Sequence, residues 1–516
     1  MKIRILAIVA LCALVPSAVL SQALSSLSSV RVGYTTRKNT VKPAGDLKAQ
    51  IDALDAQIAE AGRLGHAGEL RRLYAKGIML LAGRPWTDAA DYSSSLVLRT
   101  AAVIVDSAKP YSVRLEQLYL PSLPLQNAVT ARVALRQRPA PPALNQPSPE
   151  PPIVKDFGTF DGVARDLRES PYFFDLELQD VADGPYLLTV EVQNDNQRIG
   201  GAALNVVLRK GLGELTARLE AAAARASEDL KAEILFPIDR MKNVNRGRLE
   251  LRTFDPDRDL AAAETIAASI KSGKDPFAGR TGDFKRHYRL EAANEIIPYR
   301  MYVPASYNGT KAYPLIVALH GLGGTEDSFF DNYNKTLPPL VEQHGYILVT
   351  PLGYRVDGSY GWGLGTAPAD PSVRRTQDLS EQDVMQVLQR VRKQYKVDDG
   401  RIYLMGHSMG AIGTWKIAPK FPEIWAALAP LSGSGAPATL EKLRSIPQII
   451  VHGDADPTVA VTGSRRMVAK LQELGTEHNY IEVPGGLHSD VVAPNLAAVI
   501  EFFNTHKKAV KPQSRD

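Results

Sequence analysis

Apolar residues at Leu47, Ile51, Leu54 and Ile58, and again at Leu70, Leu73 and Ile78, recur at three- and four-residue intervals, the stripe of amphipathic helices. Gly62 and Gly65 divide two such helices. The apolar-rich segment 96–105, downstream of Trp86 and a helix-start signal at Asp88, is predicted to add a third and complete a helical hairpin or small bundle. From Tyr111 the period changes to two. Val113-x-Leu115, Val129-x-Ala131-x-Val133-x-Leu135, Phe174-x-Leu176-x-Leu178 and Leu188-x-Val190-x-Val192 alternate apolar with polar, and Asp183-Gly184-Pro185 and residues 194–201 supply turns. The proline-rich stretch 139–152 reads as an exposed loop. Ala-rich helical patterns return at 215–226 and 260–270, around a stretch, 241–252, whose interleaved Arg and Glu suit a solvated face; residues 272–283 read as a linker. Beyond Phe284 an alternating hairpin (286–292, 298–303) gives way to short, wholly apolar runs at 315–319, 347–350, 402–405, 426–431 and 449–451. Helical patterns at 382–395, 411–420, 464–474 and 496–503 fit between them. Wholly apolar runs suit parallel strands buried on both faces, and strand–helix alternation predicts a doubly wound α/β domain.

No repeat of fixed period runs through the chain. The expected order is a signal peptide (1–23), a helical region (24–108), a β-sandwich module (109–210), a helical segment and linker (211–280), an α/β catalytic domain (281–508) and a disordered tail (509–516). The segment DVADGPYLLTVEV resembles the strands of immunoglobulin-like modules, so the sandwich is expected to be of that kind.

Composition adds little to this picture and charge excludes one class. The 516 residues are 44% hydrophobic and 23% charged, and a formal charge of +5 with no basic run does not imply nucleic acid. Lys2 and Arg4, the apolar stretch 5–20 broken by Pro16, and Ser21-Gln22-Ala23 have the form of a cleaved export signal, the alternative being a retained anchor. Export to a periplasm or to the medium is the expected localisation, without stable membrane insertion once the signal is removed. Cys12, the single cysteine, falls within that segment and fits a lipidation site poorly. Cleavage after Ala23 leaves no thiol, which rules out a cysteine nucleophile, disulfides and any cysteine-based metal site.

Candidate chemistry centres on RIYLMGHSMGAIG, residues 401–413. A buried strand runs into Gly406-His407-Ser408-Met409-Gly410 and then into a small-residue helix, the strand–turn–helix setting that gives G-x-S-x-G its meaning. The turn lifts the Ser408 hydroxyl above the sheet and aims the amide of Met409 at an oxygen that gains charge during attack. His320-Gly321-Leu322-Gly323-Gly324 follows an apolar strand and offers a second amide, Leu322, with Gly321 as the other candidate. Val451-His452-Gly453-Asp454-Ala455-Asp456 follows another strand. Its acid is Asp456, with Asp454 as fallback, and His452 reads as a loop-packing residue. Gly485-Gly486-Leu487-His488-Ser489 lies after the last strand, so His488 is the base candidate, while the side chain of His407 is expected to turn away from the hydroxyl. Tyr354, Tyr360 and Trp362, in the Gly-rich loop 351–366, are candidates to line a substrate pocket, the alternative being a surface loop with buried aromatics.

At these residues the chain resembles the α/β-hydrolase superfamily. PLGYRVDGSYGWG, DVMQVLQRVRKQYKVDDGRIYLMGHSMG and HGDADPTV are most similar to exported esterases related to polyhydroxybutyrate depolymerases and feruloyl esterases, and to the catalytic domain of prolyl oligopeptidases. The likeness spans residues 284–506 and implies acyl transfer to water through an acyl-Ser408 intermediate, with no metal or organic cofactor. Ala411 departs from it, since such sequences commonly carry a further glycine there. The expected function is hydrolysis of a small-molecule or polymeric carboxylic ester. The rivals are a prolyl-oligopeptidase-like serine peptidase, which the lack of a blade repeat in 24–280 disfavours, and a secreted binding protein with a vestigial hydrolase domain.

Overall fold

The computed structural model describes residues 27–123, 125, 128–138, 150–194, 197–251 and 254–509. The expected signal segment and Cys12, residues 139–149 of the proline-rich stretch, and residues 510–516 lie outside them. The chain separates into two compact units: the described residues up to Arg218 with Arg240–Pro256, and Leu219–Asp239 with Asp257–Asp516. Among the described residues no helix is long and apolar enough to cross a membrane.

The first unit opens with helices α1 (Leu27–Val41), α2 (Gly45–Arg63), α3 (Ala67–Leu81) and α4 (Asp88–Ser95). The stripe read from the sequence is their core: Ile51, Leu54, Leu73 and Ile78 are buried together with Val30 and Tyr34. Strands β1 (Leu96–Thr100), β2 (Ile104–Val105), β3 (Tyr111–Gln117), β4 (Val129–Gln137), β5 (Ile153–Val163), β6 (Tyr172–Leu176), β7 (Gly184–Asn194) and β8 (Gln197–Leu208) follow. Segment 96–105 is therefore strand, not the expected third helix. Leu96 and Leu98 are buried and Arg99 is exposed, a period of two, and β1 pairs antiparallel with β3 from Leu96↔Gln117 to Thr100↔Val113. Two sheets result, ordered β1-β3-β6 and β2-β8-β7-β4-β5, and both feed one apolar cluster that includes Leu98, Val113, Phe174, Val133 and Val190.

Helices α5 (Leu212–Ala223), α6 (Glu228–Asn245) and α7 (Pro256–Lys271) come next. The second unit is then built on β9 (Gly282–Leu290), β10 (Glu295–Val303), β11 (Tyr313–Leu319), β12 (Ile347–Pro351), β13 (Val397–His407), β14 (Ala427–Leu431), β15 (Gln448–Gly453) and β16 (His478–Val483). Its helices are α8 (Ser328–Asp331), α9 (Leu337–His344), α10 (Pro371–Gln394), α11 (Met409–Ile417), α12 (Thr462–Leu474) and α13 (Val492–Thr505). These strands form one sheet in the order β16-β15-β14-β13-β11-β12-β10-β9. Strands β11 to β16 are parallel, and the antiparallel hairpin β9–β10 closes the β12 edge.

Side chains on β11 alternate between two cores. Leu315, Val317 and Leu319 meet α10, α11 and α12 on one face, while Ile316 and Ala318 meet α9 and α13 on the other. The unit is thus an α/β-hydrolase-like, mostly parallel sheet covered on both sides. The chain leaves β11 for β12 on one side and crosses to β13 on the other. In such a sheet the carboxyl ends flanking this reversal form a crevice, and Ser408 and the loop 320–324 both begin there.

Candidate active site

Strand β13 ends at His407, and Ser408 turns the chain with φ 57° and ψ −116° before α11 begins at Met409. A non-glycine residue with this backbone is strained and is held by its surroundings. The two flanking glycines are required by space. A Cβ at Gly406 would lie 2.3 Å from the Gly410 backbone, and one at Gly410 would lie 1.9 Å from the Leu319 carbonyl oxygen. Ala411 does not disturb the elbow, because its methyl faces Gly433, where an added Cβ would come within 2.5 Å of it.

Three sequence-distant side chains meet in a line. His488 Nε2 lies 2.8 Å from Ser408 Oγ, and His488 Nδ1 lies 2.6 Å from Asp456 Oδ2. The other oxygen of Asp456 accepts from the amides of Thr458 and Val459 at 2.7 and 2.9 Å. Burial by itself would raise the Asp456 pKa, but the His488 hydrogen bond and these amides outweigh it, so the carboxyl titrates below its ordinary range and stays ionised at neutral pH. Asp454 faces elsewhere, accepting from the amide of Gly485 at 2.6 Å and pinning the turn that leads to His488. His452 is fully buried, with Ser464 Oγ 2.7 Å from Nδ1 and the Val459 carbonyl 3.0 Å from Nε2. His407 turns from the hydroxyl, towards Tyr333 and the His488 main chain.

The loop after β11 presses against the nucleophile, since a Cβ on Gly321 would lie 3.4 Å from Ser408 Cβ. The amides of Gly323 and Gly324 are engaged by the carbonyls of Val356 and Gly321. Those of Gly321, Leu322 and Met409 donate to no acceptor among the described residues. His320 anchors this loop from beneath. Its ring nitrogens lie 2.8 Å from the Gly321 carbonyl and 2.7 Å from that of Leu352, and burial lowers its pKa.

The aromatic loop looks different from its sequence. Tyr360 has no exposed surface and donates to the His320 carbonyl, so it supports the loop 320–324 from inside and offers nothing to a ligand as it stands. Tyr354 is buried against Glu295, and only Trp362 is half-exposed, its indole donating to Asp378 at 2.8 Å. The anchor is Asp383 on α10, which accepts from the Tyr354 amide at 2.7 Å and from the Tyr288 hydroxyl at 2.7 Å; burial pushes its pKa up to about 6. Sequence reasoning passed over Asp383, Tyr333 and His320, and only His320, next to the glycines of its loop, carried a local signal. Among the described residues no cluster of His, Cys, Asp and Glu has the geometry of a metal site.

Residues 291–483 match the family model described as putative esterase. Over that stretch the chain is similar to known esterases. It is 29% identical over 156 residues to the bifunctional acetylxylan esterase/xylanase of Neocallimastix patriciarum, an overlap of 30% of this chain and 21% of that protein. It is 29% identical over 137 residues to feruloyl esterase B of Talaromyces stipitatus, 26% of this chain and 36% of that one. This esterase-like chain thus spans well under two thirds of either relative. Among solved structures, a ferulic acid esterase of Anaeromyces mucronatus aligns with 45% of this chain and 93% of its own, at 19% identity and a TM-score of 0.37.

Proposed function

We propose that the protein is an exported carboxylic ester hydrolase that works through an acyl-enzyme on Ser408. The observation that carries this reading is the continuous contact Ser408–His488–Asp456, at 2.8 and 2.6 Å. Oγ of Ser408 attacks the ester carbonyl carbon while His488 Nε2 takes its proton. The ionised Asp456 holds Nδ1–H and stabilises the imidazolium that forms. The oxyanion is received by the amides of Met409 and Leu322, each such donor contributing about 3 kcal/mol to lowering the barrier. The imidazolium then protonates the departing alcohol. Water, deprotonated by the same imidazole, attacks the acyl-serine, and collapse of the second tetrahedral intermediate frees the acid and Ser408.

The relatives' names, acetylxylan esterase and feruloyl esterase, support small acyl or aromatic acyl esters, free or polymer-bound, as the substrate class. The basic and apolar character of residues 1–23 supports export. The two-sheet region, which takes in the strands at 96–105 as well as the expected 109–210, is read as an immunoglobulin-like module, a reading supported by its shared core. The test compares residues 24–516 with a Ser408→Ala twin on p-nitrophenyl esters of increasing acyl length, with Gly-Pro and Ala-Ala anilides in parallel. Ester turnover should fall by about 10⁴-fold or more in the twin, with anilides untouched by either protein. Equal turnover by both proteins, with no fluorophosphonate labelling of Ser408, sinks the proposal; anilide turnover would move it to a peptidase.

A further inference from the structure

His407 adjoins the nucleophile without touching its hydroxyl, yet both of its ring nitrogens are engaged. Nε2 lies 3.0 Å from the main-chain carbonyl oxygen of His488. A carbonyl oxygen only accepts, so Nε2 carries the proton and donates. Nδ1 is then bare, and the Tyr333 hydroxyl, 2.9 Å away, donates to it. The result is a neutral imidazole with both positions satisfied. Burial keeps it neutral, lowering the His407 pKa to about 4. The ring also lies 4.8 Å, centroid to centroid, from that of His488.

Tyr333 is held as firmly as the histidine it serves. It opens a left-handed turn in which Tyr333, Asn334 and Lys335 have φ of 51°, 57° and 54°, none of them glycine. Strain of this sort persists where the surroundings over-determine the conformation, and it concentrates at functional sites. The ring of buried Phe329 packs 5.2 Å from that of Tyr333.

The group at the end of this relay is the main chain of the base itself. The His488 side chain is stretched between Asp456 and Ser408, and its backbone lies in a turn between β16 and α13. We infer that His407, oriented by Tyr333, is a positioning residue that fixes the His488 carbonyl and so keeps the imidazole within proton-transfer reach of Ser408. This rests on the triad reading proposed above. A displacement of about 1 Å at such a group can cost on the order of 100-fold in rate, while substrate binding, which does not need the base aligned, is affected far less.

The experiment measures kcat and KM on p-nitrophenyl acetate, the rate of fluorophosphonate labelling and the thermal midpoint, for the full chain and four variants. His407→Leu fills the space and removes both polar atoms. His407→Gln restores an N–H that can reach the same carbonyl. Tyr333→Phe removes one oxygen, and Ser408→Ala reports on the triad. His407→Leu should lower kcat by about 10- to 100-fold and slow labelling in step, with KM within about twofold. His407→Gln should recover most of that loss, and Tyr333→Phe should cost about three- to tenfold in kcat. A folded His407→Leu with unchanged kcat, or a folded His407→Gln as poor as Leu, overturns the proposal. Should both His407 variants fail to fold, Tyr333→Phe decides it, and unchanged kcat there overturns it too. Activity surviving in Ser408→Ala would bring down the triad reading and the positioning role together; its loss there, beside His407 variants of unchanged kcat, removes the positioning role alone.

Discussion

Two turns at the carboxyl ends of the parallel strands solve the same problem with a different balance of means. The elbow at Ser408 is fixed by side chains that are missing. Gly406 and Gly410 let backbone meet backbone, and an atom added at either position has nowhere to go. The loop 351–366 also needs missing side chains, since a Cβ at Gly358 would lie 2.3 Å from the Gly353 carbonyl oxygen, but it is fixed in addition by side chains that are present. Tyr354, Ser359 and Tyr360 take left-handed backbones with φ of 62°, 64° and 53°. They are held there by Asp383 on the Tyr354 amide, Ser380 on the Tyr360 amide and Lys416 on the carbonyls of Ser359 and Gly361. A turn held by absence fails when anything is added. A turn held by polar anchors fails when an anchor is removed or changes its charge.

The contrast breaks most sharply at Gly410→Ala. Its methyl would meet the Leu319 carbonyl oxygen at 1.9 Å, a backbone atom that cannot swing aside. The expected loss is about 3 kcal/mol or more, read by chemical denaturation, with the proposed ester turnover lowered as well. A variant as stable as the parent would mean that the elbow is not space-limited.

The next effect belongs to the loop and depends on pH. Asp383 is buried and its pKa is raised to about 6 from an ordinary 3.8. Between those values the folded state binds the proton more tightly than the unfolded chain, so this carboxyl's contribution to stability is full below about pH 4 and is lost as pH rises through about 6. Measured as the difference between the parent and Asp383→Asn across pH 4 to 7, the relative stability of the parent should decline by about 2–3 kcal/mol. A flat difference would show that the carboxylate is as well solvated by Tyr288 and Tyr354 as by water.

The smallest effect sharpens the comparison by its weakness. Gly365, in the same loop, has open space around it, the nearest atom to an added Cβ being 3.8 Å away, and no positive φ. Gly365→Ala should change stability by less than about 0.5 kcal/mol. A loss near that of Gly410→Ala would erase the distinction between the two turns.

The same contrast explains what could be read from the sequence. The elbow was legible because space forces glycine at fixed offsets from the serine, and the strands around it were legible as unbroken apolar runs. Strand β16 was less so, since HNYIEV lies at the sheet edge, none of its residues is fully buried, and its pattern is not one of apolar residues. Segment 96–105 was misjudged because apolar residues crowd it, and the exposed Arg99 between Leu98 and the next strand is a faint mark of period two. Tyr360 left both readings open, pocket wall or buried aromatic, because an aromatic among glycines reads the same whether it faces the cleft or the core. Asp383 and Tyr333 act on partners tens of residues away, so their meaning exists only once the chain has folded.

One detail of the elbow reaches beyond this molecule. The methyl of Ala411 occupies room that Gly433 leaves empty. Those two positions share a single volume, and neither is free to drift alone: a lineage that enlarges one inherits the obligation to keep the other small.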